Sequence, residues 1–192
     1  MKVRVLSQAP TNMKLIQQDM LRLERGILFH QVNCQGVMGG GIAYALARKF
    51  PGLEEAYRGF IETTIEAADK EFVDGHRTED GDILCESDLR NDLLLGKVFV
   101  YEAAEKLYIA NVFGQGDVSS RYRMTSYDAT ARALEEAQCF FDEASFKHNP
   151  NFDGLPLYFP YTMGCGLGGG NWTIYSSIIE AYFPDAIICK HI

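Results

Sequence analysis

Two stretches of the chain repeat one layout, and the repetition restricts the fold more than any other feature. Each is an apolar run, a glycine-dense turn and then a segment of helical period: ILFHQVN-CQGVMGG-GIAYALARKF over Ile27 to Phe50, and LYFPYTM-GCGLGGG-NWTIYSSIIEAYF over Leu157 to Phe183. Glycine lets a backbone approach a ligand closely and turn its N–H groups inward, and a helix start adds unpaired donors and the positive end of a dipole. Such a turn is a cradle for phosphate. The alternative is that the glycines only make tight turns and close helix–strand packing, an explanation that suits one such turn better than two.

Charge sharpens the reading. No Lys or Arg occurs between Arg25 and Arg48, nor between Lys147 and Lys190, so both turns lie in cation-free spans. Phosphate bound there is held by neutral backbone donors, which excludes a Lys-bearing Walker loop. Two turns suit two phosphates, or the two halves of a diphosphate, gripped from opposite sides. Gly164, Gly166 and Gly169 also satisfy GxGxxG, with Asp185 about 20 residues on. Too little chain follows to build the βαβ unit that this fingerprint normally opens.

With 26 Asp plus Glu against 18 Lys plus Arg, the net charge of −8 disfavours a broad nucleic-acid surface, because such surfaces neutralise phosphates with cations. No stretch approaches the roughly 20 apolar residues that span a bilayer. The opening MKVRVLSQ lacks an apolar signal core. The five cysteines, Cys34, Cys85, Cys139, Cys165 and Cys189, are odd in number and form no CxxC or Cys/His cluster. Neither a disulfide framework nor a zinc site is indicated, and a reduced, cytoplasmic setting is expected. Cys34 and Cys165 sit in the glycine turns, but neither heads a Cys-x5-Arg loop, since position 40 is glycine and 171 is asparagine. They read as small packed residues. No metal site and no cofactor is expected.

The 192 residues suit a single domain covering 1–192. Short β-prone runs at Lys2–Leu6, Ile27–Val32, Val98–Tyr101, Leu107–Val112, Leu157–Tyr161 and Ile187–Cys189 alternate with helical segments at Ile42–Phe50, Leu53–Ala67, Thr125–Phe141 and Trp172–Phe183. In the second helix Ala56, Phe60 and Ile61 are spaced by about a turn. Thr125 or Ser126 is placed to cap the third, and Asn171 the fourth, which Pro184 stops. Loops are expected over His76–Asp82, Gly114–Met124 and Lys147–Gly154. The predicted class is α/β, a sheet between two helical layers, with the runs at Lys97–Tyr101 and Lys106–Val112 adjacent across a short connection.

Taken together, HQVNCQGVMGGGIAYALARKFP (His30–Pro51) and GCGLGGGNW (Gly164–Trp172) resemble the macrodomain family of ADP-ribose-binding modules, most closely its yeast-type ADP-ribose 1″-phosphate phosphatase branch. KLIQQDM, LLGKVFVYE, NVFGQ and TSYDA extend the resemblance through most of the chain. It implies a three-layer α/β/α macrodomain with a central mixed sheet. It also implies a small-molecule ligand, ADP-ribose 1″-phosphate or ADP-ribose, bound by a monomer.

Carried over by position, the resemblance puts Asp19 where a carboxylate accepts from the adenine amino group and Met20 at the following backbone contact, with Gln18 replacing the family's usual glycine. Asn33 falls on the distal-ribose asparagine and His30 on the proposed catalytic histidine of phosphatase-like relatives. Gln35, Gly36, Val37 and Met38 lead into the first diphosphate loop, Gly39, Gly40, Gly41, Ile42 and Ala43. Thr162, Met163, Gly164, Cys165, Gly166, Leu167, Gly168 and Gly169 form the second. His30, Asn33 and Asp117 are the expected catalytic set: a pKa near 6.5 lets His30 exchange a proton near neutral pH, and Asp117 would orient or assist it. A buried His30 satisfied by a backbone carbonyl, and a solvated Asp117, are the plain alternatives. Arg121 and Arg123 are the nearest cations for a terminal phosphate, with a solvated role the simpler one.

The implied activity is metal-independent release of the 1″-phosphate. Removal of ADP-ribose from a modified macromolecule is a rival, weakened because antitoxin-type relatives carry a lysine in the first loop where this chain has GGG. A non-catalytic reader, or a sponge for a related nucleotide, needs only Asp19, Asn33 and the two loops.

Overall fold

The computed structural model describes residues 13–68, 70–77, 85–119, 121–141, 152 and 154–191. Along the chain run β1 (Lys14–Gln17), a 3-10 turn (Met20–Arg22), β2 (Gly26–Asn33), α1 (Gly41–Lys49), α2 (Leu53–Glu66), α3 (Lys70–Asp74), α4 (Glu86–Leu94), β3 (Val98–Ala104), β4 (Leu107–Gln115), α5 (Tyr127–Phe141), β5 (Leu157–Pro160), α6 (Trp172–Tyr182) and β6 (Ile187–Lys190). Among these residues the strands form one sheet in the order β1-β6-β5-β2-β4-β3. All neighbours are parallel except β3 and β4, which pair antiparallel across a tight connection where Lys106 takes a positive φ. The sheet is therefore mixed, as expected.

β2 and β4 are interior strands of the sheet and are buried along nearly their whole length. A strand covered on both faces reads as a continuous apolar run, which ILFHQVN and LYIANVF approach. The period of two divides β2 between the faces. Ile27 and Phe29 join Ala133, Leu134, Tyr175 and Ile179 beneath α5 and α6, and Phe29 stacks on Phe159 at 4.3 Å between ring centroids. Leu28 and Val32 join Leu46, Leu53, Tyr57 and Ile61 beneath α1 and α2. Each such fully buried side chain contributes about 1.5–3 kcal/mol of apolar transfer, so the two clusters hold the layers to the sheet.

Local rules account for most helix ends. Asn171 caps α6 by accepting from the Thr173 amide at 2.9 Å, and Ser126 accepts from Ala129 at 3.2 Å at the head of α5. Thr125, the other capping candidate, is buried and donates its hydroxyl to Gly164 O instead. On α2 the buried stripe is Leu53, Tyr57 and Ile61, four residues apart, instead of the Ala56 and Phe60 rows; Phe60 is half-buried against Phe99. α4 falls in a segment where no helix is expected from the sequence, because just Leu89 and Leu94 of its nine residues are buried and the apolar signal is thin. The run Lys2–Leu6 and most of the Lys147–Gly154 loop lie outside the described residues. No described helix is long and apolar enough to cross a membrane.

Candidate functional site

β2 and β5 are hydrogen-bonded neighbours running in the same direction, so the turns that follow them open at the same edge of the sheet. Crevices outside the carboxyl ends of parallel strands are where α/β sheets take ligands. A cleft of about 590 Å³ lies there. From the first turn it is lined by Asn33, Val37, Gly39, Gly40, Gly41, Ile42 and Ala43, and from the second by Thr162, Met163, Gly164, Gly166, Leu167 and Gly168. The turns also touch: a Cβ on Gly40 would stand 2.6 Å from Leu167 Cδ1.

The backbone of both turns is rich in unused donors. The first hydrogen bond of α1 runs from Tyr44 N to Gly40 O, which leaves the amides of Gly41, Ile42 and Ala43 without partners inside the helix. In the second turn the amides of Met163, Cys165, Gly169 and Gly170 are spent on Pro160, Thr162, Gly166 and Gly164 carbonyls. Those of Gly164, Gly166, Leu167 and Gly168 make no such bond. Thr162 opens this turn at φ 62°, in the left-handed region that a β-branched residue enters only under constraint.

Asn33 shapes the first turn from within. Its Oδ1 accepts from the amides of Gln35 at 2.9 Å and Val37 at 3.2 Å, and its Nδ2 donates to Val37 O at 2.6 Å. From outside, Tyr57 donates its hydroxyl to Asn33 O, Arg58 Nε donates to Gly36 O at 3.0 Å and Arg90 Nη1 to Gln35 O at 3.4 Å. Gln35 itself turns toward α4, donating to Ser87, Asn91 and Gly116 O. Both arginines thus serve the back of the turn, and no Asp, Glu, Lys or Arg stands among the described residues that line the cleft. Arg121 and Arg123 are exposed and do not line it either; the Arg123 guanidinium sits 5.0 Å from the centre of the Tyr127 ring.

Of the expected catalytic set, Asn33 lines the cleft and His30 and Asp117 do not. His30 is wholly buried in the sheet opposite Asn111, with Nε2 at 2.8 Å from Asn111 Oδ1, and it does not line the cleft. Burial pulls its pKa down to about 4, only partly offset by that bond, so the ring is neutral at pH 7. His30 is thus a core histidine whose Nε2 pairs with a side-chain amide instead of the backbone carbonyl of the plain alternative, and whose Nδ1 is buried without a hydrogen-bond partner. Asp117 points to α4 instead, accepting the Ser87 hydroxyl at 2.6 Å, and lies beside rather than in the cleft wall. Asp19 caps the 3-10 turn through Leu21 N at 2.9 Å, and Met20 is buried. Neither lines the cleft, nor do Gln35, Gly36, Met38, Cys165 and Gly169, which shape the turns from behind. Cys34 is buried, and desolvation with help from Asp117 pushes its thiol up to about 12; burial raises Cys165 as well. Both are packed thiols, as read from the sequence.

The cleft also uses residues that the sequence reading passed over: Gln31, Val32, Gln115, Val118, Ser119, Pro160 and Tyr161. Gln31 carried a signal. It is the second polar residue in an apolar run, and with period two it faces opposite to His30.

No family profile matches the chain. A phage relative, the "Uncharacterized 17.5 kDa protein in tk-vs intergenic region" of Enterobacteria phage T4, is 27% identical over 174 residues, 88% of each chain. Among solved structures, a protein of unknown function from Bacteroides thetaiotaomicron superposes with a TM-score of 0.66 at 22% identity, covering 96% of this chain and 100% of that one. A macrodomain protein from Streptomyces coelicolor gives 0.61 at 18% identity over 94% and 98% of the two chains. Thermosipho africanus DarTG in complex with ADP-ribose gives 0.59 at 18% identity, over 93% of this chain and 41% of that one. With its mixed six-stranded sheet, flanking helices and paired glycine turns, the chain has the macrodomain fold.

Proposed function

We propose that this protein binds the ADP-ribose moiety, with the diphosphate seated between the two glycine turns. The observation that carries this reading is the pair of facing turns: seven backbone amides, those of Gly41 to Ala43 and of Gly164 and Gly166 to Gly168, have no partner in the turn or helix that bears them, at one cleft without a charged side chain. Oriented amides and a helix N-terminus favour a delocalised anion while asking for no counter-charge. The diphosphate is the part of ADP-ribose that needs such a site. The solved relative bound to ADP-ribose supports the choice of ligand. Asp19, at the carboxyl end of β1, is the residue we assign to the adenine amino group, and Gln31, Gln115 and Ser119 supply polar atoms in the cleft wall.

Titration calorimetry with ADP-ribose tests this directly. One-to-one binding in the micromolar range, lost in Gly168→Ala, is the expected result; no heat with wild type at millimolar ligand overturns it.

A second reading, release of the 1″-phosphate from ADP-ribose 1″-phosphate, is favoured by the position of Asp117 beside the cleft residues Val118 and Ser119. In this reading a water attacks phosphorus, the bond from phosphorus to the sugar oxygen breaks with its electron pair on that oxygen, Asp117 accepts the water proton, and the leaving sugar oxygen takes a proton from solvent. His30 has no part in that step. Phosphate release by wild type, abolished in Asp117→Asn and retained in any folded His30 variant, is expected. Release unaffected by Asp117→Asn removes this second reading and leaves the first intact.

A further inference from the structure

We infer that Gln31 is the positioning residue of the second glycine turn, holding its free amides at the diphosphate through a hydrogen-bond relay with Thr125. The inference rests on the proposed ADP-ribose reading for its ligand and on geometry for the rest.

The relay has a fixed direction. Thr125 Oγ1 carries one proton and lies 2.7 Å from Gly164 O, which can only accept it. The hydroxyl must then accept from Gln31, whose Nε2 stands at 2.9 Å and also reaches Gln115 Oε1 at 3.2 Å. An amide at position 31 donates there without bringing a charge. The backbone repeats the link, since the amides of Met124 and Thr125 both donate to Gly168 O at 3.0 Å. Gln31 and Thr125 therefore hold both ends of the stretch that carries the free amides.

Sterics point the same way. A Cβ on Gly164 would meet Gln31 Oε1 at 2.6 Å, and one on Gly168 would meet Thr125 Oγ1 at 2.5 Å and Gln31 Nε2 at 2.9 Å. The glycines are small so that this side chain can lie directly under the turn. Gln31 Oε1 is itself buried and without a partner. An amide kept with an unspent acceptor is held there for what its nitrogen does.

The test uses Gln31→Glu, Gln31→Met, Thr125→Ser and Thr125→Val, each read by ADP-ribose calorimetry between pH 5 and 8. An ionised carboxylate at position 31 cannot donate to Thr125, whereas a protonated one can. Gln31→Glu should bind at least about tenfold more weakly than wild type at pH 8 and recover most of that loss toward pH 5, while wild type stays flat. Gln31→Met and Thr125→Val should be weak at every pH, and Thr125→Ser should match wild type. Should position 31 tolerate no change, the Thr125 pair alone decides. Binding of the Gln31 variants and Thr125→Val within twofold of wild type overturns the inference. Amide spectra of the ligand-free protein separate this from failure of the ligand reading. The Gly164 and Gly168 resonances should titrate in Gln31→Glu and not in wild type, whether or not ADP-ribose binds, and resonances that do not move overturn the relay.

Discussion

The two glycine turns line the same cleft and are held in opposite ways. The first is gripped from outside: side chains of α2 and α4 donate to the carbonyls of Asn33, Gln35 and Gly36, and two of the three donors are long arginine side chains. The second is anchored from beneath, through Gln31, Thr125 and short backbone bonds to Gly168 and Gly164. Long side chains at a surface lose rotamer freedom when they bind and gain little in water. Buried short links have no such alternative, and breaking one strands a polar group. The second turn should therefore be the rigid jaw of the cleft, and the first the adaptable one.

The sharpest way to break this contrast is Gly168→Ala. Its methyl would stand 2.7 Å from Gly164 O as well as against Thr125, and a backbone atom cannot swing aside. Loss of ADP-ribose affinity by about 100-fold, equivalent to about 2.7 kcal/mol, is expected in calorimetry. Retention of wild-type affinity would show the second jaw to be soft.

Acid acts next, through the strand behind both jaws. The folded pKa of His30, about 4, lies below its ordinary 6.5, so between these values the unfolded chain binds more protons than the native one. Stability from this group is therefore present above pH 6.5 and is lost as pH falls toward 4, by on the order of 3 kcal/mol in full. Urea midpoints measured from pH 7 to 4 should fall along this curve in wild type and be flatter in His30→Leu. Equal slopes in the two proteins would exclude His30 as the source.

Asn33→Ala removes three hydrogen bonds from the first turn, two of them to amides. A loss of about 1–3 kcal/mol in thermal stability is expected, with weaker ADP-ribose binding. A larger effect on binding than that of Gly168→Ala would reverse the ranking of the jaws. Arg58→Ala should do least. The side chain is 57% exposed, its bond to Glu54 lies at the surface, and its bond to Gly36 O is one of several grips on the turn. A change below about 1 kcal/mol in stability and under about threefold in affinity is expected, checked by the same two measurements.

Much of this architecture is legible in the residues because its causes are local. A β run followed by glycine and then a helical period marks both turns. Asn171 and Ser126 announce their helices by capping chemistry, and the apolar runs at β2 and β4 announce central strands. The absence of cations from both turns carries straight over into an uncharged cleft wall, because the turns supply most of that wall themselves. β1 was legible only through the family resemblance, its four residues being too short and too exposed to show a period. α4 was missed for the same physical reason, a buried face of two leucines.

What adjacency of residues could not decide is which atoms face one another across the sheet. Whether β5 lies next to β2, so that the two turns share a cleft, depends on strand order. That order is set by the packing of whole layers and leaves no mark on either turn. The same holds for position 30 against position 31. Both are polar and neighbouring, but the period of a strand sends one into the core against Asn111 and the other under the second turn. The chain's local chemistry thus prescribes two glycine turns rich in free amides and the elements that bear them. Their meeting, and the choice of Gln31 over His30 as the residue between them, come from long-range pairing, where burial is shared among segments far apart in the chain.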